Sequence, residues 1–575
     1  MSEQKVPWSF DYVRCRSNGS VNYDSFNGDF EFHLNSSESE RWISTKNSYL
    51  AIRVRIIQSD ETGTISTGWQ SEGRIPCNLG PFLGAARLVP FAKQSKGVRS
   101  VAVGEVLRRL VAKVLLHVSQ KELLSQLYPL QVGVAVRGAS ELVAHAVDAF
   151  LNHDDAELCC LQLDFRNAFN KVRRSSIFAA VARQAPSLLP WVAFCYGSAV
   201  PLLLPNGDTI WSREGVQQGD PLGPVLFSLA IHPLVARLAE IEGVKWESFY
   251  MDDGTVIAPL RALPDVLHMV ENEGPSFGLE LNHSKTTVSG PGITREALAS
   301  VGLDIPLGMK GSPPVPAIVV LGAPLGSSGF VAEHLDSCLE RLARFHSAVH
   351  QLGNTQVALH LIRGSLGVCR ITHLMRTVDP RLLRPHLEKF DALALSSLTQ
   401  LLGRAPSCEA WAQAGLPIPL GGLGLPHATE VAPWAFAASN LTFISKVRDL
   451  RLPERLATPS SSLQAAGCLL RHSKAALTPE WSQFRSLLDY EHQAGLESLS
   501  SHLLSQKWWS QLVFEGRRLE LVQCSSLRDR VRLQCLSLPL AGAWLTQYPA
   551  KVLGLSFATT EFQLLPLRFL GLPLG

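Results

Sequence analysis

The residues of this chain that could do chemistry begin with two adjacent acids, Asp252 and Asp253, in the sequence Tyr-Met-Asp-Asp at 250–253. Apolar residues flank this tetrapeptide on both sides and Gly254 follows it, which predicts a strand, a tight turn and a second strand. Adjacent carboxylates at a hairpin tip repel each other, and a divalent cation would relieve that repulsion. A solvated Asp-Asp-Gly turn is the alternative, so the tetrapeptide gains weight only from two upstream segments.

The first upstream segment ends an apolar run with a single carboxylate. Residues 158–163 are apolar except for Gln162, and Asp164 follows them directly. This pattern predicts a buried strand that presents Asp164 at its end.

The second upstream segment is a loop rich in Gly and Pro. Residues 215–224 read Gly-Val-Gln-Gln-Gly-Asp-Pro-Leu-Gly-Pro and precede an apolar stretch. Asp220 followed by proline predicts the start of a helix. Pro233 predicts a kink or an early end to that helix, because an interior proline costs about 3 kcal/mol.

Together these segments resemble a reverse transcriptase. The resemblance rests on Asp-x-x-x-Ala-Phe at 164–169, Gln-Gly-Asp-Pro-Leu-Gly-Pro at 218–224 and Tyr-Met-Asp-Asp at 250–253, in that order. The flanks are similar to those of non-LTR retrotransposon polymerases, and the resemblance covers roughly residues 87–329. It implies an α+β right-hand polymerase with fingers, a palm built on a small antiparallel sheet, and a thumb.

The resemblance also implies which residues hold metal. In nucleotidyl transfer, two metal ions about 3.5–4 Å apart stabilise the attacking and leaving oxygens. Magnesium prefers hard oxygen ligands. By the resemblance, Asp164 and Asp252 bridge two Mg²⁺ ions (Mn²⁺ is the alternative), Asp253 assists them, and the backbone carbonyl of Phe165 completes a metal shell.

Other residues are implied to contact the nucleotide. Phe169 is the family's steric gate against a 2′-hydroxyl, with an ordinary core phenylalanine as the alternative. Gln218 and Gly219 line the nucleotide and template side, since glycine allows close approach of the backbone. Lys285 lies near the triphosphate and acts as a general acid toward pyrophosphate, and a surface lysine at a strand end is the alternative. Residues 319–326 resemble the hairpin that grips the primer end.

A basic stretch at 87–113 is a candidate phosphate-binding surface. By the resemblance, Lys93 and Arg99 contact the triphosphate, although Ser100 replaces the proline usual in the family. The alternative is that the stretch is an ordinary solvated basic face, and this interpretation is strongest for Arg108, Arg109 and Lys113. Against one acid, Glu105, the stretch holds Arg87, Lys93, Lys96, Arg99, Arg108, Arg109 and Lys113.

The composition is that of a globular chain with several domains. Its 575 residues are 46% hydrophobic and 18% charged, and the net charge is only +3. Nucleic-acid binding would therefore depend on local basic patches and weaken with salt. The eleven cysteines form no Cys-x-x-Cys pair, which favours a reducing, intracellular compartment, cytoplasmic or nuclear. We find no signal peptide and no apolar run long enough to span a membrane.

Patterns along the chain predict four regions. Residues 1–72 are expected to be poorly ordered, 73–330 to form fingers and palm, 331–426 a helical thumb-like region, and 427–575 a mainly helical C-terminal region. The family's N-terminal Pro-Asp-Gly element and its C-terminal Cys/His-rich segment are not recognisable. We therefore expect a truncated or decayed copy that kept its polymerase core.

The resulting hypothesis is an RNA-directed DNA polymerase from a retrotransposon-like element. It would extend the 3′-hydroxyl of a DNA or RNA primer with dNTPs on an RNA template. An RNA-dependent RNA polymerase shares the two-metal palm but normally lacks a bulky aromatic at the position of Phe169. A decayed element that binds nucleic acid without catalysis is the alternative from another class.

Overall fold

The protein is described from a computed structural model. The described residues are 83–92, 98–152, 157–311, 315–457, 463–464, 504–550 and 554–573, together with the backbone of five strands between 11 and 55. The expectation of poor order in residues 1–72 falls largely outside these ranges and stays a prediction. Lys93 also lies outside the described residues.

All strands of the described chain lie before residue 327. They are β1 Asp11–Cys15, β2 Val21–Asp24, β3 Glu31–Phe32, β4 Ile43–Thr45, β5 Ser48–Arg55, β6 Ala86–Ala92, β7 Val98–Gly104, β8 Leu158–Leu163, β9 Val200–Leu203, β10 Thr209–Ser212, β11 Trp246–Tyr250, β12 Asp253–Pro259, β13 Thr287–Ser289, β14 Met309–Lys310, β15 Val315–Val320 and β16 Ala323–Gly326.

Helices dominate the described chain after β16. They are α1 Val106–Val118, α2 Gln120–Leu127, α3 Ala139–Leu151, α4 Ala168–Lys171, α5 Arg174–Gln184, α6 Leu189–Tyr196, α7 Gly223–Leu238, α8 Leu263–Phe277, α9 Arg295–Ser300, α10 Ser328–His350, α11 Thr355–Gly364, α12 Thr372–Thr377, α13 Pro380–Leu402, α14 Cys408–Ala414, α15 Ala428–Lys446, α16 Gln506–Cys524, α17 Leu527–Leu536, α18 Ala543–Thr546 and α19 Thr559–Phe569.

The chain divides into two compact units, each built from separated stretches of sequence. Unit 1 comprises Met1–Tyr128, Arg166–Leu234 and Glu273–Glu280. Unit 2 comprises Pro129–Phe165, Val235–Asn272 and Leu281–Gly575. The boundaries predicted at 72, 330 and 426 divide the chain into consecutive segments, whereas each of these units combines separated segments. The predicted boundaries stay predictions.

Unit 1 contains a four-stranded sheet in the order β10-β9-β6-β7. Strands β6 and β7 form an antiparallel hairpin, and helix α1 follows it. Strand β9 adds to the other side of β6 in parallel. The side chains of Ala86, Ala102 and Val200 lie on one face of this sheet and are at most 4% exposed, whereas Val98 and Ile210 on the same face are 62% and 50% exposed. This face is therefore buried in part.

Unit 2 contains a second four-stranded sheet, in the order β11-β12-β8-β13, with every pair antiparallel. The apolar run at 158–163 forms its strand β8, as the sequence predicts. In this sheet the side chains of Leu161 in β8, Val256 in β12 and Val288 in β13 are fully buried. This small antiparallel sheet and the helical C-terminal region confirm the predicted α+β class.

Helix α10 begins the helical region with a side-chain cap, since Ser327 Oγ accepts a hydrogen bond from the backbone N–H of Phe330. Leu335, Leu342 and Phe345 follow the helical spacing of apolar residues that predicts this region. Leu335 and Leu342 are buried, whereas the side chain of Phe345 is 47% exposed. None of the described helices is both long enough and apolar enough to cross a bilayer.

The expected interruption of α7 at Pro233 does not occur as an early end, since the helix continues to Leu238. Proline removes one backbone hydrogen bond. Leu229, Ile231 and Leu234 are at most 1% exposed, and burying each such side chain contributes about 1.5–3 kcal/mol. Packing of this helix therefore offsets the cost of the proline.

Candidate active site

The end of strand β8 lies beside the hairpin β11–β12. The antiparallel ladder between β8 and β12 sets Leu163 opposite Gly254. Continued by one step beyond this last pair, the same register would set Asp164 opposite Asp253. Directly opposed residues on such strands have Cβ atoms about 4.5–5.5 Å apart. The fold therefore brings these two acids, which are distant in sequence, to the adjoining ends of two neighbouring strands of one sheet.

Asp252 occupies the two-residue turn of that hairpin together with Met251, and Tyr250 pairs with Asp253 to close it. This confirms the strand, turn and strand expected from the tetrapeptide. Met251 has a φ of 61°, and a left-handed conformation at a non-glycine residue costs on the order of 1–3 kcal/mol. Asp252 is half-buried and Asp253 is exposed, so both carboxylates can meet solvent.

Near the ends of β8 and β12, alternation along the strands puts apolar side chains on one face of this sheet and polar side chains on the other, although further along Trp246 and Ile257 lie on the polar side and Glu247 on the apolar side. Leu161 is opposite Val256 on the apolar face. Gln162 is opposite Thr255, and Thr255 is opposite Ser248, on the other face. The period of two continues past the ends of β8 and β12, so both acids belong to the polar face.

The backbone of Asp164 is held on two sides by the segment that follows α8. Its carbonyl accepts a hydrogen bond from the Asn282 N–H at 2.8 Å. Its N–H donates to Thr286 Oγ1 at 3.3 Å, and its Oδ2 accepts from Asn282 Nδ2 at 2.7 Å. The sequence analysis did not identify Asn282 and Thr286, because it selected only Lys285 from this segment. Their short polar side chains, which can hydrogen-bond to a nearby backbone or carboxylate, could have pointed to them.

Residues 130–133 contact the hairpin at Phe249 and Met251. The Phe249 N–H donates to the Leu130 carbonyl at 2.8 Å, and the Phe249 carbonyl accepts from the Val132 N–H at 2.9 Å. Gly133 lies so close to the turn that an added Cβ would be 2.8 Å from the Met251 nitrogen. Only glycine fits there without movement, and the sequence analysis did not identify this contact.

The carboxylates of Asp164, Asp252 and Asp253 are suitable ligands for a divalent metal ion, but their side chains are not arranged as a metal-binding site in this structure. Among the described residues, no group of three or more His, Cys, Asp or Glu side chains is arranged to hold a metal ion. The hydrogen bond to Asn282 draws the Asp164 carboxylate toward that side chain. Phe165, whose carbonyl is the remaining predicted ligand, is 6% exposed and bridges to Leu281. Metal binding by these residues stays a prediction.

In unit 1, three of the predicted nucleotide-contacting residues, Phe169, Gln218 and Gly219, belong to the loop at 215–223 or contact it. The Phe169 ring stacks on Phe227 with centroids 4.6 Å apart, and its carbonyl accepts from the Val216 N–H at 2.8 Å. The Gln218 carbonyl accepts from the Ala102 N–H at 2.7 Å. The loop therefore adds to the free edge of β7, and the role of Phe169 as a steric gate stays a prediction.

Gly219 has the conformation and surroundings that require glycine. Its φ is 117°, and an added Cβ would be 2.5 Å from the Ala102 carbonyl oxygen and 3.2 Å from Val101 Cγ1. The residue is exposed. The backbone can therefore approach a substrate here, as the resemblance implies.

Arg108 is not part of a phosphate-binding surface, because it is 1% exposed. Its Nη2 donates to Asp220 Oδ2 at 2.7 Å, and its Nη1 donates to Gln217 Oε1 at 2.7 Å. Tyr196 Oη also donates to Asp220 Oδ2 at 2.7 Å. Burial disfavours the guanidinium, but the neighbouring Tyr196 and Asp220 outweigh it and raise the pKa of Arg108. This network anchors the loop at 215–223.

The predicted cationic residues have different surroundings. Lys285 is exposed, and its N–H donates to the Asn282 carbonyl at 2.9 Å within a turn that leads into β13. Lys285 directly precedes Thr286, whose Oγ1 accepts a hydrogen bond from the Asp164 N–H. Arg99 is exposed on β7, opposite Phe91. Their contacts with a triphosphate stay predictions.

The hairpin expected at 319–326 is present as β15 and β16. Gln162 Nε2, on the polar face of the sheet, donates to the Val319 carbonyl at 3.1 Å. The hairpin therefore lies over the polar face that ends in Asp164. Its contact with a primer stays a prediction.

Comparisons with known proteins agree with the resemblance. Residues 91–313 match the family described as "Reverse transcriptase (RNA-dependent DNA polymerase)". The chain is 26% identical over 279 residues to the "Retrotransposable element SLACS 132 kDa protein" of Trypanosoma brucei gambiense. That match covers 48% of this chain and 23% of the relative. These findings confirm the resemblance to non-LTR retrotransposon reverse transcriptases, and the chain spans about a quarter of the length of this relative.

Solved telomerase structures show a weaker likeness. Telomerase from Candida albicans with a fragment of telomeric RNA is 11% identical with a TM-score of 0.37, covering 73% of this chain and 66% of that one. Apo telomerase from Candida tropicalis is 10% identical with a TM-score of 0.34, covering 76% and 70%.

Proposed function

We propose, from the premise that residues 91–313 form a reverse transcriptase domain, that this chain is an RNA-directed DNA polymerase. It extends the 3′-hydroxyl of a DNA or RNA primer with deoxynucleoside triphosphates along an RNA template. One observation carries this proposal most. The sheet register, continued by one step, would set Asp164 opposite Asp253, with Asp252 in the adjoining turn.

The three acids are proposed to hold two divalent cations, Mg²⁺ or Mn²⁺. Such ions would supply charge stabilisation to the attacking and leaving oxygens. Carboxylate oxygens are the ligands these ions prefer, and the three acids lie at the adjoining ends of the neighbouring strands β8 and β12 and in the turn before β12. Asn282 donates to Asp164 Oδ2 and orients that carboxylate, while Thr286 and the Asn282 backbone fix its position.

The remaining residues are proposed to bind the nucleotide. Phe169 excludes ribonucleotides, and its stacking on Phe227 holds the ring in place. Gln218 and Gly219 lie along the nucleotide and template. Arg99, Lys93 and Lys285 are proposed to bind the triphosphate, with Lys285 donating a proton to the leaving pyrophosphate.

A primer-extension assay on poly(rA)/oligo(dT) with magnesium tests the proposal. Wild type is expected to incorporate dTTP, and Asp252→Ala is expected to reduce kcat by several orders of magnitude, because the metal-binding set loses one carboxylate. Asp265→Ala is the matched control, since Asp265 is an exposed aspartate in the first turn of α8. Its activity should equal that of wild type.

The same assay separates the alternatives. Preferential incorporation of UTP over dTTP would favour an RNA-dependent RNA polymerase. No extension by folded wild-type protein, combined with retained RNA binding, would favour the decayed element that binds without catalysis. Equal rates for wild type and Asp252→Ala would overturn the assignment of the three acids.

A further inference from the structure

Unit 2 contains a cavity of about 570 Å³, and none of the three acids proposed to bind metal lines it. Helix α3 contributes residues 145, 148, 149 and 152, and α15 contributes residues 436, 440, 443 and 444. Spacings of three and four residues put each set on one face of its helix. Most of the other wall residues belong to β16 and to the junction between α12 and α13. We name this space the α3–α15 cavity. Its volume suits a small organic molecule, whose sites measure roughly 300–1,000 Å³.

Aromatic rings form one wall of the α3–α15 cavity. The centroids of the Phe436 and Phe443 rings lie 6.1 Å and 5.8 Å from that of the His145 ring. His145 Nε2 is 2.9 Å from Ser439 Oγ, and burial lowers the pKa of His145 to about 3. The imidazole is therefore neutral at neutral pH and adds no charge to the cavity. This wall suits a flat, apolar part of a ligand.

Asp148 supplies negative charge to the cavity. Its Oδ1 accepts a hydrogen bond from Asn152 Nδ2 at 2.9 Å, and no lysine, arginine or histidine of the described chain forms an ion pair with it. Burial raises the pKa of Asp148 to about 6, the hydrogen bond from Asn152 partly opposes this shift, and the nearby charge of Asp379 adds to it. A cation that enters the cavity would relieve the cost of ionising this carboxyl group.

Asn440 offers a second hydrogen-bond acceptor in the same cavity. Its side chain is 7% exposed, and its Nδ2 donates to the Phe436 carbonyl at 3.1 Å. The amide therefore has its oxygen left to accept a hydrogen bond. With Asp148, it makes the cavity favourable to a ligand that carries several N–H donors.

Two arginines also line the cavity, but neither neutralises Asp148. Arg381 pairs with Asp379, with Nη2 and Oδ2 2.5 Å apart, and the Arg381 side chain is 57% exposed. Arg455 is exposed as well. The charges of these arginines are not among those that shift the pKa of Asp148, so the electrostatic environment of Asp148 is negative. An anionic ligand is disfavoured beside it for that reason.

We propose that the α3–α15 cavity binds a small organic cation with a flat apolar body and an amidine or guanidine head. The planar head pairs with the Asp148 carboxylate through charge-assisted hydrogen bonds, because its N–H groups match the geometry of a carboxylate. Asn440 Oδ1 accepts a further N–H, and the body packs on the Phe436 and Phe443 rings. The site goes beyond the proposed polymerase function and does not depend on it.

Titration calorimetry of the full chain without nucleic acid tests the site, with 4-aminobenzamidine as the probe. Wild type is expected to bind this cation at pH 7.5 with a Kd of about 1 mM or tighter, which is an ordinary affinity for so small a ligand. The matched ligand is 4-aminobenzamide, which keeps the ring but is neutral. It should bind about 10-fold more weakly or worse, because it lacks the charge that Asp148 stabilises.

Substitutions in the cavity identify where the probe binds. Asp148→Asn keeps the size of the side chain and is expected to weaken amidine binding at pH 7.5 by about 10-fold or more. Asp265→Asn removes the same charge from an exposed position on α8 and should leave the affinity unchanged. Ala149→Phe fills space in the cavity lining and should abolish binding of both ligands in the folded variant.

The pH dependence tests the ionisation of Asp148. Amidine affinity is expected to fall by about 10-fold from pH 7.5 to pH 5, because the carboxyl group with a pKa near 6 becomes protonated. The other charged or titratable groups of the lining are His145, Asp379, Arg381 and Arg455. The arginines keep their charge in this range and His145 stays neutral. Asp148→Asn should therefore lose the pH dependence, whereas titration of Asp379 would preserve it.

Several outcomes would overturn the cation site. These are no amidine binding by folded wild type, equal affinities for the amidine and the amide, or wild-type affinity in Asp148→Asn. Equal losses in Asp148→Asn and Asp265→Asn would show adventitious binding to surface carboxylates only. An affinity that stays constant from pH 7.5 to pH 5 would exclude Asp148 as the partner of the cation.

Discussion

At the scale of single residues, the site depends on close contacts that leave no room for a side chain. Gly254 separates Asp253 from the rest of β12, and an added Cβ there would be 2.7 Å from the Phe249 ring. Gly133 touches the backbone of Met251 in the same manner. The position of the Asp252–Asp253 pair is therefore set by neighbours that carry no chemistry themselves.

Gly133→Ala is expected to displace the turn and lower kcat for primer extension by about 10-fold or more. The new Cβ would be 2.8 Å from the Met251 nitrogen, so the turn has to move, and a misplacement of about 1 Å can cost about 100-fold in rate. The measurement is kcat at a temperature where circular dichroism shows the variant to be folded.

Gly329→Ala is the control for that substitution. No atom lies within 4 Å of the Cβ it would add, so its activity should match that of wild type. If Gly133→Ala is folded and as active as wild type, residues 130–133 do not position the turn.

At the scale of elements, a loop and a helix are joined by a buried ion pair. Arg108 in α1 and Asp220 in the loop at 215–223 are both almost fully buried, with Nη2 and Oδ2 2.7 Å apart. Gln217 and Tyr196 supply further hydrogen bonds to the same pair. The loop that carries Gln218 and Gly219 is therefore held by groups within unit 1.

Arg108→Met is expected to destabilise the protein by about 3–5 kcal/mol, because it leaves Asp220 buried without its partner. Asp220→Asn combined with Arg108→Met should recover part of that loss, since the uncompensated charge is removed. The measurement is a double-mutant cycle of unfolding free energies in urea. Strict additivity of the two substitutions would contradict the coupling.

At the scale of the whole molecule, buried acids in unit 2 link stability to pH. Burial raises the pKa of Asp148 to about 6, and a hydrogen bond from Asn152 partly opposes this shift. Burial likewise raises the pKa of Glu247 to about 7, partly opposed by Arg451. A raised pKa stabilises the folded state below the unfolded pKa near 4, and this stability is lost as the pH rises through the folded value.

Asp148→Asn is therefore expected to stabilise the full chain at pH 7.5 by up to about 3 kcal/mol, from a shift of about two units at 1.36 kcal/mol each. The gain should shrink toward zero near pH 4. Urea unfolding at pH 4, 6 and 7.5 measures it, and Asp265→Asn serves as an exposed control. A gain of equal size at pH 4 and pH 7.5 would contradict the linkage.

The local sequence was sufficient to predict the elements that present Asp164, Asp252 and Asp253. Asp164 after an apolar run predicts a strand end, and two acids before Gly254 predict a hairpin tip, because residue type and alternation act over a few positions. The helical region beginning at α10 was predictable for the same reason. Phe345 shows the limit, since helical spacing places it near a face but does not decide whether a neighbour covers that position.

Only the tertiary structure decided which strands are neighbours and which charges are buried. The pairing of β8 with β12, which brings Asp164 and Asp253 to adjoining strand ends, depends on burial and hydrogen bonding summed over residues far apart in sequence. The same holds for Arg108, which a local pattern groups with a basic surface. Its partners on the 215–223 loop become neighbours only when the chain has folded, and their charge and burial then determine what the arginine does.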